Sequence, residues 1–128
     1  MFSERVQSIF ASGTLGSLTA VFARSGNAPA HCVPGVLDWF DRADIAGLNA
    51  PRRLAVHYGE LDVPGPGNGS ASYNETVPDA IDQLRAIYRA AGAEDAVSLH
   101  VTEQVGHEMD NGLLLDFLGY GAGARWRA

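Results

Sequence analysis

"RRLAVHYGELD", residues 52–62, decides how this chain folds. Leu54, Ala55, Val56 and Tyr58 make a nearly continuous apolar run that stops at Gly59. That is the pattern of a strand covered on both faces, interior to a parallel sheet. Glu60 and Asp62 follow the turn, and a Pro/Gly-rich collar, "VPGPGNGSAS" (63–72), follows them. In open α/β sheets, ligands and catalytic groups gather outside the carboxyl ends of the strands. An acid at this address needs a partner from a neighbouring strand end.

Downstream, the period changes. From Thr76 the residues Val77, Ile81, Leu84, Tyr88 and Ala91 fall on one helical face, with Asp79, Asp82, Arg85 and Arg89 turned away and Gly92 in the capping place. This predicts a helix over 76–91. "AVSLHVTEQ" (96–104) alternates and is rich in β-branched residues, so it reads as a strand, and "NGLLLDFLGY" (111–120) reads as a short closing helix. Upstream, "RVQSIFAS" (5–12) is a strand broken by Gly13, and 14–34 reads as mostly irregular with one helical turn. After "VPGVLDWF", the segment "DRADIAGLNAP" reads as a short helix with Asp41 and Asp44 at capping-box spacing and Pro51 as its end. The fold class is therefore α/β, about three parallel strands with flanking helices, in one domain over 1–120 with a tail over 121–128. The first strand is left with an open edge that natural proteins seldom leave uncovered.

The chain has 128 residues, and its net charge of -6 argues against a nucleic-acid surface or an anionic membrane as partner. One cysteine, Cys32, excludes an internal disulfide, and Glu4 and Arg5 interrupt the apolar run a secretion signal needs. No window reaches the roughly 20 apolar residues of a membrane span. The chain reads as soluble and cytoplasmic, with secretion left open if it belongs to a longer parent.

Two turns carry the chemistry: Gly59-Glu60-Leu61-Asp62 after one strand, and Val105-Gly106-His107-Glu108 after the next. If the helix over 76–91 joins neighbouring strands, both turns emerge at the same end. The order acid, then histidine, is that of the last two members of a Ser/Asp/His triad in α/β-hydrolases. In that arrangement the acid fixes the histidine tautomer and the histidine takes the nucleophile's proton. Glu60 reads as a solvent-facing turn residue, His57 and His100 as strand histidines of the core or sheet face, and Asp38, Asp41 and Asp44 as caps and solvated positions. His31 and Cys32 do not supply the three or four spaced ligands of a metal site, so neither metal nor cofactor is expected. Ser12 stands at a strand end, but "ASGTLGS" lacks the strand-turn-helix elbow that exposes a nucleophilic hydroxyl. The same glycines make only a weak phosphate loop.

Taken in order, "HCVPGVLDWFDRADIAGLNAPRRLAVHYGELD" and "IDQLRAIYRAAGAEDAVSLHVTEQVGHE" resemble the C-terminal half of the dienelactone-hydrolase-like and acetyl-xylan-esterase-like α/β-hydrolases, over about residues 4–118. The resemblance implies that Asp62 is the triad acid and His107 the triad base of a serine esterase acting on a small-molecule carboxylic ester. Two departures stand out. The family's Gly-x-Ser-x-Gly elbow occurs nowhere in the chain, and the segment after the acid is longer than the family's. The resemblance thus places the nucleophile, the oxyanion-hole loop and several central strands ahead of Met1, and the isolated chain is expected to be inactive. The alternative from a different class is a non-catalytic module that pairs its open strand edge with another chain, as a homo- or hetero-oligomer. A flavodoxin-like binding domain ranks last, because the strand ends lack a basic loop.

Overall fold

The computed structural model describes residues 5–23, 33–63 and 74–120. His31, Cys32, the collar from 64 to 73 and the tail from 121 lie outside the described residues. The elements are β1 (Ser8–Ser12), α1 (Leu18–Ala23), α2 (Arg42–Gly47), β2 (Arg53–Gly59), α3 (Val77–Ala90), β3 (Val97–Thr102) and α4 (Asn111–Phe117), with single 3-10 turns at Val36–Asp38 and Glu94–Ala96. The sheet has the order β1-β2-β3, and both pairings are parallel. The α/β architecture with an interior β2 is as the apolar run predicts.

Each face of the sheet has its own cover. Leu54 and Val56 of β2 and Val97 of β3 turn toward Ala43 of α2 and toward Val77, Ala80, Ile81, Leu84 and Tyr88 of α3, forming the core. On the opposite face, Phe10 of β1 packs against Phe117 of α4 at 5.8 Å, with the Arg53 guanidinium 4.5 Å above the Phe117 ring. Tyr88 is buried, and its hydroxyl donates to the carbonyl of Arg52 at 2.9 Å. This satisfies a polar group that the core could not otherwise hold cheaply.

The helix ends follow from local chemistry. Gly92, at φ +70, closes α3: its N–H donates to Arg89 O and the Ala93 N–H to Tyr88 O, both at 2.9 Å. These two bonds are a Schellman motif, which uses carbonyls the helix leaves unpaired. Ala91 differs from the sequence expectation; it caps the helix and is exposed. The capping box of α2 forms as its spacing predicts. Asp41 does more than cap, because its carboxylate also accepts from Leu18 N at 2.6 Å and from the Ser17 hydroxyl at 2.8 Å. The segment read as mostly irregular therefore contains a six-residue helix, α1, whose start is tied to α2 through Asp41.

Candidate active site

Close backbone approach builds the site first. A Cβ at Gly59 would run into the carbonyl oxygens of Val105 and Gly106, so only glycine lets the acid turn and the histidine turn lie against each other. Three backbone donors then fix the acid turn: Glu60 N to Thr102 O at 2.9 Å, Leu61 N to Val105 O at 2.8 Å, and Asp62 N to Gly59 O at 3.0 Å. Glu60 is exposed as expected, but it is not merely solvated. Its carboxylate accepts from Gln104 N at 3.0 Å, and Gln104 has the left-handed φ of 57°.

Asp62 and His107 meet. Asp62 is 2% exposed, and its Oδ2 lies 2.9 Å from His107 Nδ1. The Asn74 amide donates to Asp62 Oδ2 and to Asp62 O, each at 2.8 Å, so the carboxylate cannot swing away from the imidazole. A carboxylate only accepts, so the imidazole tautomer that fits this bond is Nδ1–H, which leaves Nε2 as the ring nitrogen outside the bond, on a half-exposed side chain. A Cβ on Gly13 would sit 3.4 Å from His107 Cε1 and 3.7 Å from Asp62 Oδ2, and Gly13 holds φ +59. Bare backbone is thus the floor under the pair. Ser12, Gly13, Tyr58, Gly59, Asp62, His107, Glu108 and Met109 enclose a cavity of about 220 Å³.

Below that floor runs a second polar chain. Ser12 Oγ is 2.9 Å from His57 Nδ1, His57 Nε2 is 3.0 Å from Thr102 Oγ1, and Thr102 Oγ1 donates to Asp110 Oδ2 at 3.0 Å. Thr102 has one hydroxyl hydrogen and gives it to Asp110, so it accepts from His57 Nε2–H. His57 Nδ1 is then unprotonated and accepts from the Ser12 hydroxyl. Burial pushes the His57 pKa down, a shift that Asp110 opposes and His100 reinforces. The Leu113 N–H and the Thr102 hydroxyl hold the Asp110 carboxyl below its ordinary range. His57 is a buried core histidine, and His100 lies on the sheet face with Nε2 2.9 Å from Ser98 Oγ, as their strand positions suggest.

Asn74 and Asp110 were not singled out by the sequence. Asn74 lies across the collar from its partner, and Asp110 looks like an ordinary helix cap, which it also is: Oδ1 accepts from Leu113 N at 2.9 Å. The phosphate-loop reading of "SGTLGS" loses its donors. Ser17 N donates to Thr76 Oγ1, Leu18 N to Asp41 Oδ1 and Thr19 N to Ser17 Oγ, and a carboxylate already occupies the place an anion would take.

Among the described residues no group of three or more His, Cys, Asp or Glu side chains is placed to hold a metal ion, and no helix is long and apolar enough to cross a membrane. The fold and site define a parallel α/β domain with a carboxylate–imidazole pair at the carboxyl end of its sheet. No protein-family model matches the chain, and neither does any curated protein or solved structure.

Proposed function

We propose that the chain carries the acid and base of a serine-esterase site of the α/β-hydrolase type, acting on a small carboxylic ester. The observation that supports this reading is the 2.9 Å bond between His107 Nδ1 and the buried Asp62 carboxylate, each delivered by the turn after one of two adjacent parallel strands. In this reading β1, β2 and β3 are the last three strands of a hydrolase sheet. Asp62 holds the imidazole in the Nδ1–H tautomer and stabilises the imidazolium that forms. His107 Nε2 takes a proton from the attacking hydroxyl or water and returns it in the following step. The cavity of about 220 Å³ suits a short acyl group such as acetyl.

Hydrolysis of p-nitrophenyl acetate tests the assignment. His107→Ala and Asp62→Asn should each lower the rate by about 100-fold or more, the usual worth of a positioned base. Turnover by the parent chain that both variants match would remove the reading, and where the parent alone is inactive, as the resemblance implies, the same comparison is made after a nucleophile-bearing segment is joined to it.

One observation favours a second reading, a module that associates with its own copy along β1. The outer edge of β1 continues into an apolar groove of about 320 Å³ lined by Ile9, Ala11, Leu15, Ile45, Leu54 and Val56 among others. A parallel sheet ordinarily has both faces covered, and at the rim of this groove Ile9 and Ile45 stay exposed. Antiparallel pairing of two β1 edges is self-complementary. Solution mass distinguishes this module from a monomer.

A further inference from the structure

We infer that Ser12 is a nucleophile in its own right, activated from below by His57 rather than from above by His107. The inference rests on the reading of the cavity as an acyl-transfer site and adds the hydroxyl which that reading leaves unassigned.

Three features meet at Ser12. It ends β1 at the carboxyl edge of the sheet and lines the same cavity as Asp62 and His107. Its hydroxyl hydrogen points at an unprotonated imidazole nitrogen, because the direction of every bond in the chain is set by the Asp110 carboxylate at its far end. The turn at Gly13, with positive φ and no side chain, sets the residue next to Ser12 directly against the pair, its Cβ position 3.4 Å from His107 Cε1 and 3.7 Å from Asp62 Oδ2. A hydroxyl bonded to a neutral imidazole, itself oriented by a further group, is the arrangement that activates serine. Here Thr102 relays the orientation that an acid gives directly in other hydrolases.

Ser12 Oγ forms a bond to the ester carbonyl carbon while its proton passes to His57 Nδ1, and an aryl ester loses its phenolate as the tetrahedral centre collapses. The His57 imidazolium keeps its Nε2–H on Thr102, and the Phe10 ring stacked 5.9 Å away also faces that charge. Water then attacks the acyl carbon, giving its proton to His107 Nε2, Ser12 Oγ leaves and recovers its proton from His57, and His107 releases the proton it took to solvent. Two histidines divide the two half-reactions between them.

A dialkyl fluorophosphate tests Ser12 directly. Oγ–P forms as P–F breaks, fluoride leaves, and the proton goes to His57. Peptide mass spectrometry should find one adduct, on Ser12, missing in Ser12→Ala. Its rate of formation should fall about 100-fold in His57→Gln, and further there than in His107→Ala. Asp110→Asn, which retains a capping side chain, should also slow labelling and covers the case in which His57→Gln does not fold. No adduct, an adduct on another residue, or a rate indifferent to both His57→Gln and Asp110→Asn would overturn the inference. The two readings fail separately. Ester hydrolysis that needs Asp62 and His107 while Ser12 stays unlabelled removes Ser12 alone. Labelling of Ser12 with hydrolysis indifferent to His107 removes the acid–base pair alone.

Discussion

Burial fixes the charge state of His57, and this makes stability depend on pH. Its folded pKa lies below the ordinary imidazole value of 6.5, mainly through desolvation, so the unfolded chain takes up a proton first as the pH falls. Above that value the contribution is fully present. Below it, stability is lost at up to about 1.4 kcal/mol per pH unit until the folded pKa is passed. Urea unfolding at pH 7 and at pH 5 should show the parent chain weakening with acid and His57→Gln weakening less; parallel curves would contradict the assignment. The meeting of Asp62 and His107 was legible at this scale because each follows a strand and a glycine turn. Asn74 and Asp110 were not, because what matters about them is a partner reached through space, and their local setting is that of any polar loop residue.

The helices divide between those their own sequence explains and one it does not. α3 has the amphipathic period and the glycine stop, so its own sequence specifies it without any tertiary contact. α1 has six residues, far short of what sustains an isolated helix, and its start depends on the Asp41 carboxylate from another element. One side chain therefore begins two helices. Asp41→Ala should lower the unfolding free energy by about 2 kcal/mol, the upper end of a single cap's worth, since the bonds at α1 go with it. Asp38→Ala, at an exposed residue, should stay within about 0.5 kcal/mol. A smaller loss for Asp41 than for Asp38 in chemical denaturation would show that the shared cap is ornamental.

As a whole, the molecule is a thin sheet with uneven protection. Both faces of β2 are buried, whereas Ile9 on β1 and Ile45 on α2 remain exposed at the groove. If two copies cover that face, sedimentation at micromolar concentration should give a mass above 13.6 kDa, and Ile45→Lys should return it to the monomer value. A parent chain that already sediments as a monomer would remove the paired module. Strand number, order and direction were readable from alternating strand and helix patterns. The open edge could be anticipated, but its occupant could not, since hydropathy marks a surface as sticky without naming what it sticks to.

The side chains that join Ser12 to Asp110 cross all three strands, straight from Ser12 to its register partner His57 and then on a slant to Thr102, two residues past the register partner His100. The backbone ladder ties each strand only to its neighbour, so alone it would let β1 and β3 fray independently. The crosswise lacing through His57 links the two outer strands at their carboxyl ends. Their amide protons there should therefore exchange with solvent through one shared opening, and the floor beneath Asp62 and His107 lifts as a unit or stays shut.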